Sequence, residues 1–240
     1  MTVESNLWYP PAVPNALDDE FDGTNDLATF WDLNFTVDPL LPDDLASFAS
    51  GNVRASQNVI RNSWLTVQPP TDGNHYTISK APSPGVVLPD GFYWARVSSR
   101  YSFGSIPDNN NFGIFISATS GGDRDINNSW DIYLRETEAG EITIQAQETD
   151  NGASAGQEMS DHEGLGVHWQ YIGILKDGAV VHLFAGTEGG SWTWVEDFTI
   201  NTPAIVDRFG IYFRSANADT PGATVHSIDF FRYTASKNTP

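Results

Sequence analysis

The 240-residue sequence lacks cysteine, has few basic residues and contains no long apolar run. Without cysteine, a disulfide framework, a thiolate metal site and a cysteine nucleophile are all excluded. Only 12 Lys and Arg stand against 31 Asp and Glu, and the formal net charge is -19. Because nucleic acids and anionic membranes are bound through basic patches, neither is expected as a partner. No window approaches the roughly 18 apolar residues of a membrane-spanning helix, so membrane insertion is not expected either.

The N-terminal segment also lacks the pattern of a secretory signal. MTVESNLWYPPAVPNALDDEF has no basic region followed by an apolar run. We therefore expect synthesis in a cytoplasm and, if the protein acts outside the cell, release by another route such as lysis. The prolines of this segment exclude helix interior, and residues 1–17 are predicted to form an extended arm. Such an arm gains stability only by docking, so Trp8 and Tyr9 are the predicted interface residues.

Short segments rich in β-branched and aromatic residues, bounded by Gly, Pro, Asn and Asp, fill the remainder. They predict strands near 28–37, 52–60, 63–69, 75–81, 92–102, 111–119, 129–137, 141–149, 168–176, 179–186, 191–199, 207–214 and 223–234. K176-DGA-A179 predicts a hairpin, and D43-DLASFAS-S50 allows one or two helical turns. The length suits one large domain. We predict an all-β jelly-roll sandwich of two antiparallel sheets over 18–235, with a C-terminal tail at 236–240.

Period-two alternation divides three of these strands into a core face and a polar face. The core face is predicted to carry Trp130, Ile132, Leu134, Ile142, Ile144, Ala146, Phe209, Ile211 and Phe213. Sugars are bound by aromatic rings that stack on apolar ring faces and by polar groups that bond to hydroxyls. The candidate glycan-binding residues, mostly on the polar face, are therefore Trp94, Arg96, Asp131, Tyr133, Arg135, Gln145, Gln147, Tyr212 and Arg214. The alternatives are a solvated sheet face or one covered by another subunit.

The two ends of the chain carry a family resemblance. An early DEFDG, a following Trp-containing strand and a closing SIDFFRY together resemble the concanavalin A-like lectin/glucanase jelly roll, in particular its laminin-G-like modules in carbohydrate-active and phage virion proteins. The resemblance implies that the chain start adjoins the last strand, with a structural Ca²⁺ at the junction. Glu20, Asp22 and Asp229 are the predicted ligands. Alternatively, Asp18 and Asp19 are solvated and Asp229 accepts backbone N–H bonds near the chain start.

The arm resembles the openings of some virion proteins. LWYPPAVPNALDDEFDG is similar to the start of tail-associated or head-decoration proteins of tailed phages. This similarity implies location in a virion and contact with other virion proteins. A homo-oligomer, for instance a trimer, and binding to cell-surface glycans are further expectations.

Three segments carry residue types used in catalysis, but none has a convincing pattern. Hydrolases of the resembled fold share an E-x-D-x-x-E strand, whereas E136-TEAGE-E141 lacks the central Asp and contains a turn. The loop Q157-EMSDHEGLGVHW-W169 fits no zinc signature, and G186-TEGGSWTW-W194 lacks the Asp of an Asp-box. No catalytic residue is therefore predicted.

The sequence favours a non-enzymatic structural or attachment protein of a virion, with a lectin-like jelly roll that contacts glycans or partner subunits. A free carbohydrate-binding module or lectin is the first alternative. A glycoside hydrolase or polysaccharide lyase with an unrecognised active site is the second.

Overall fold

The structure, a computed structural model, describes residues 16–19, 21, 30–34, 47–48, 53–54, 65–67, 75–101, 111–136, 142–159, 171–186, 192–214 and 224–235. Their strands are β1 (Asp32–Leu33), β2 (Ser47–Phe48), β3 (Val53–Arg54), β4 (Leu65–Val67), β5 (His75–Lys80), β6 (Gly91–Tyr101), β7 (Asn111–Ser120), β8 (Asp123–Glu136), β9 (Ile142–Asp150), β10 (Ala153–Met159), β11 (Tyr171–Asp177), β12 (Val180–Gly186), β13 (Trp192–Thr199), β14 (Val206–Arg214) and β15 (Thr224–Thr234).

The strands form two antiparallel sheets. The seven-stranded sheet has the order β1-β5-β14-β7-β8-β9-β10, and the six-stranded sheet has the order β13-β12-β11-β6-β15-β4. Strands distant in sequence are neighbours, as β6 and β15 show, while β2 and β3 form a separate two-stranded sheet. The predicted all-β sandwich of two antiparallel sheets is therefore confirmed.

Most strands lie where the sequence predicts them, with three differences. β8 begins at Asp123 rather than near residue 129. β10 is absent from the prediction because its sequence, ASAGQEM, contains no β-branched or aromatic residue. Residues Ser47–Phe48 form a strand where helical turns were allowed. The Asp177-Gly178 hairpin is confirmed, with Gly178 at a φ of 61°.

The inner faces of the sheets enclose one apolar core, and Trp31 packs on both of them. Its indole is 2% exposed. The ring centroids of Phe209 on β14 and Phe231 on β15 each lie 5.7 Å from the Trp31 ring. The same core contains eight of the nine predicted inward residues, namely Trp130, Ile132, Leu134, Ile144, Ala146, Phe209, Ile211 and Phe213. The side chain of the ninth, Ile142, lies outside the part that the structure describes.

The acidic run at the chain start is anchored against the last strand. Asp19 and Phe231 exchange two backbone hydrogen bonds, of 2.9 and 2.8 Å. Oδ1 of Asp18 accepts a third, from the backbone N–H of Tyr233 at 2.8 Å. The chain start therefore adjoins the last strand, as the resemblance implied.

The side chain of Asp19 fastens the segment that follows it. Oδ1 accepts the backbone N–H of Phe21 at 2.9 Å, and Oδ2 accepts the indole N–H of Trp31 at 2.6 Å. Asp18 and Asp19 are 6% and 3% exposed, so the alternative in which both are solvated is wrong. Their carboxylates satisfy buried N–H groups that would otherwise lack acceptors.

His226 on β15 is fully buried and stacks on Phe112, with ring centroids 4.8 Å apart. Burial lowers the pKa of His226 from 6.5 to about 3, so the imidazole stays neutral in the folded protein. The unfolded chain takes up this proton as the pH falls through 6.5, whereas the folded chain resists until about pH 3. Stability present above pH 6.5 is therefore lost as the pH falls.

His226→Leu is expected to reduce the acid sensitivity of the fold. As the pH falls from 7 to 4, protonation of His226 in the unfolded chain should lower the wild-type free energy of unfolding by about 3 kcal/mol. The variant has no imidazole at this position and should not show that loss. A second slope of the same sign remains from His75, whose pKa is lowered to about 4 by desolvation, Arg124 and Arg214. It should be smaller than the His226 slope because the His75 side chain is exposed to solvent, which screens these effects. Urea unfolding of the wild type and the variant at several pH values measures how the free energy of unfolding of each protein depends on pH. An equal pH dependence in the two proteins would contradict the expectation.

Candidate functional site

Seven of the nine candidate glycan-binding residues share the outer face of the seven-stranded sheet, here called the polar face. Its members are Asp131, Tyr133 and Arg135 on β8, Gln145 and Gln147 on β9, and Tyr212 and Arg214 on β14. The predicted alternation of these strands is therefore confirmed. The polar face is not uniformly open, however, because Asp131, Tyr133 and Tyr212 are 2%, 4% and 2% exposed.

An ion pair occupies the centre of the polar face. Nη2 of Arg124 donates to Oδ2 of Asp131 at 2.5 Å and to the Ser129 hydroxyl at 3.0 Å. The guanidinium carbon lies 4.6 Å from the ring centroid of Tyr212 and 5.2 Å from that of Phe115. Burial raises the pKa of Asp131, and the charge of Arg124 opposes that rise. Asp131 is therefore held by a cation of the same chain.

The β7–β8 hairpin explains how Arg124 reaches this position. Ser117 pairs with Ser129, but the next paired residues are Thr119 and Arg124. The extra residues on the β8 side form an irregularity, which bends a strand and redirects its side chains. As a result, Arg124 lies over the face to which Asp131 points.

The two tyrosines of the polar face pack together across a glycine. Gly113 on β7 lies between Tyr133 and Tyr212 in the strand register, and the two rings meet edge to face at 5.5 Å. A Cβ at Gly113 would collide with Cβ of Tyr133 and with the Ile132 carbonyl. The Tyr133 hydroxyl donates to Oε1 of Gln147 at 2.8 Å. Through these contacts both tyrosine rings pack within the sheet face and are largely shielded from solvent.

The outer face of the six-stranded sheet carries an aromatic cluster instead. We define this outer aromatic cluster as Phe92, Trp94, Tyr171, Leu175, Phe184, Trp192 and Phe230. The guanidinium of Arg232 lies 4.0 Å from the ring centroid of Phe230 and 5.6 Å from that of Trp94. Cation–π contacts of this kind stabilise a buried arginine.

Trp94 and Arg96 thus lie on the opposite side of the sandwich from the other candidates. Both belong to β6 of the six-stranded sheet, whereas the polar face belongs to the seven-stranded one. The core separates the two outer faces, so the nine predicted residues do not form one binding surface. Alternation assigns a residue to a face of its strand and not to a sheet, so it does not show which candidates from different strands lie together.

Asp229 pairs with a cation on the neighbouring strand β6. Its Oδ2 accepts from Nη1 of Arg96 at 3.1 Å, next to an irregularity in the pairing of β15 with β6. A guanidinium at that distance does not suit a Ca²⁺ ligand. Glu20 and Asp22 lie outside the described residues, and no group of three His, Asp or Glu residues within the described ranges could hold a metal. The calcium site therefore stays a prediction.

Several other predicted features lie outside the described residues. They are Trp8 and Tyr9 of the arm, residues 137–141 of E136-TEAGE-E141 and residues 160–169 of Q157-EMSDHEGLGVHW-W169. In the ranges that are described, no helix is long and apolar enough to cross a membrane.

Trp194 on β13 is an exposed residue that the sequence did not single out. Its side chain is 53% exposed, and its Nε1 donates to Oδ1 of Asp197 at 2.7 Å. Nδ1 of His182 on β12 lies 2.6 Å from the same oxygen. A register irregularity between β12 and β13 falls at Phe184, the partner of Trp194. Strand periodicity alone does not reveal such a bulge.

No protein-family model and no curated protein matches the chain, but solved structures share its fold. A lichenase derived from a mouse hindgut metagenome is 10% identical, with a TM-score of 0.56 over 91% of this chain and 98% of that one. The CBM2 module of the evolved Dit of Lactobacillus casei BL23 phage J-1 is 13% identical, with a TM-score of 0.54 over 90% and 94%.

A xylan β-1,4-xylosidase from Bacillus halodurans C-125 is 13% identical, with a TM-score of 0.55 over 95% of this chain. This chain spans only 41% of that enzyme's length. At such identities the matches show the fold alone. That fold is the concanavalin A-like jelly roll, as the resemblance implied.

Proposed function

We propose that the chain is a non-enzymatic structural or attachment protein of a virion, whose jelly roll contacts glycans or partner subunits. The likeness to a phage Dit module supports the virion part of the proposal, and the carbohydrate-active neighbours support glycan contact. Trp8 and Tyr9 remain the proposed contacts to neighbouring subunits of a homo-oligomer or to other virion proteins.

The surroundings of Asp131 support the absence of catalysis. Glycosidases that use a carboxyl pair place the two groups about 5–9.5 Å apart around the scissile bond. Asp131 is bound to Arg124, and its cross-strand neighbours are Phe115 on β7 and Gln147 on β9. The neighbouring outward residues of β8 are Ser129 and Tyr133. No carboxylate thus faces Asp131 from these positions, and the buried ion pair leaves it unsuited to act as acid or base.

The experiment combines a glycan array with an assay for newly formed reducing ends on the glycans that bind. We expect binding without cleavage, because no carboxylate faces Asp131 from its described cross-strand and same-strand neighbours. Repeating the array with calcium and with a chelator tests the predicted metal site separately. Reducing ends released by the wild type, and lost in Asp131→Asn, would overturn the non-enzymatic function and identify a hydrolase.

A further inference from the structure

Trp194 is exposed in a way that distinguishes it from the other aromatic residues. Among the Phe, Tyr and Trp side chains whose burial the structure describes, it is the one in the exposed class, while the outer aromatic cluster is buried or half-buried. Leaving an indole in water forgoes the stabilisation that burial of its ring would give. The folding of this domain therefore does not account for its placement.

The indole is held in one orientation. Its N–H is bound by Oδ1 of Asp197, and that oxygen also accepts from Nδ1 of His182. Both partners lie on paired positions of β12 and β13, since His182 is opposite Asp197. A ring fixed before binding loses little conformational freedom when a ligand stacks on it. The ring is thus a preorganised platform.

Hydrogen-bonding groups remain available beside the platform. Neither Oδ2 of Asp197 nor Nε2 of His182 makes a hydrogen bond within the part of the chain that the structure describes. The two side chains are 46% and 28% exposed. A carboxylate oxygen accepts from hydroxyls, and with Nδ1 of His182 donating to Asp197, Nε2 of the neutral imidazole is a further acceptor.

We infer that Trp194, Asp197 and His182 form a stacking site for a neutral pyranose unit of a polysaccharide. A pyranose combines an apolar ring face with hydroxyls at its rim, which matches an indole flanked by a carboxylate and an imidazole. The net charge of -19 disfavours anionic sugars. This site deepens the proposed function, on whose glycan-contact branch it rests.

A protein partner fits the same residues less well. Aromatic anchors of protein interfaces are surrounded by contacts that exclude water. Around Trp194 the strand instead presents Thr193, Asp197 and Thr199, all exposed. A polar surround of this kind suits a hydrated ligand such as a sugar.

Affinity electrophoresis of the full chain in native gels tests the site. The probes are xylan, mixed-linkage β-glucan and galactan as neutral polysaccharides, and polygalacturonate as an anionic one. The wild type should be retarded by a neutral probe and not by polygalacturonate. Trp194→Ala should weaken that binding at least about tenfold, and Trp194→Phe should retain more affinity than Trp194→Ala. Asp197→Ala should weaken binding as well, because it frees the indole and removes an acceptor.

Ile126→Ala is the matched control, because Ile126 is also an exposed apolar side chain, at 61%, on a different hairpin. It should bind as the wild type does, and thermal unfolding should show every variant folded. Wild-type binding left intact in Trp194→Ala, or no retardation by any neutral probe, overturns the site. Cleavage of the probes by the wild type would instead overturn the non-enzymatic function. Intact binding together with an altered oligomeric size in Trp194→Ala would assign the residue to a protein interface and overturn the sugar site.

Discussion

Asp19→Ala is expected to lower the free energy of unfolding by about 3–5 kcal/mol, an effect comparable to breaking a buried charged network. The substitution leaves the backbone N–H of Phe21 and the indole N–H of Trp31 without their acceptor. Trp31 packs against both sheets, so its loosening also weakens the contacts of Phe209 and Phe231. Urea unfolding followed by tryptophan fluorescence measures the change.

Asp125→Ala provides the matched control. Oδ1 of Asp125 accepts the N–H of the residue two positions on, Asn127 at 3.0 Å, just as Asp19 does for Phe21. The Asp125 bond is exposed, so water can replace it and the cost should stay below about 1 kcal/mol. An equal loss of unfolding free energy in the two variants would show that burial does not determine how much the Asp19 carboxylate contributes to stability.

The second large effect concerns the ion pair at the centre of the polar face. Arg124→Met should lower the free energy of unfolding by about 3–5 kcal/mol, because it leaves the Asp131 carboxylate buried without the guanidinium that pairs with it. Methionine keeps much of the apolar contact with Phe115 and Tyr212, so the loss reports mainly on charge. Arg96→Met is the control, because the Arg96–Asp229 pair is 26% and 20% exposed, so that water compensates part of its loss and the cost should be smaller.

Combining Arg124→Met with Asp131→Leu should restore most of that stability. Nε and Nη1 of Arg124 and Oδ1 of Asp131 are buried without a hydrogen bond to the described residues. An incompletely satisfied buried pair contributes little beyond what apolar side chains of similar volume provide. Chemical denaturation of the wild type, the two single variants and the double variant gives the four unfolding free energies of a double-mutant cycle. A double variant as unstable as Arg124→Met would show that the pair itself, rather than its disruption, determines stability.

Alternation in the sequence predicted the strand faces because side-chain direction in a strand follows from local geometry. Trp130 and Ile132 point into the core, and Asp131 and Tyr133 point away from it, as the pattern indicated. The exposure of the outward residues could not be predicted in the same way. It depends on Arg124, which an irregular hairpin directs over the face.

The junction of the chain ends shows a similar limit. The resemblance predicted that the acidic run adjoins the last strand, and the Asp19–Phe231 bridge confirms that contact. The burial of Asp18 and Asp19 could not be predicted in the same way, because a run of consecutive acids does not show which of them turn inward. The position of Trp94 and Arg96 on the other sheet could not be predicted for a related reason, since pairing between distant strands has no local signal.

The bridge between Asp19 and Phe231 also determines when the domain can be completed during synthesis. Phe231 lies on β15, a strand placed between β6 and β4, so the six-stranded sheet stays divided until residues 224–234 have left the ribosome. Contacts of such long sequence separation form slowly and leave strand edges unpaired in the meantime. A nascent chain released before residue 231 would leave the core indole of Trp31 uncovered, and such fragments should be substrates for chaperones and proteases.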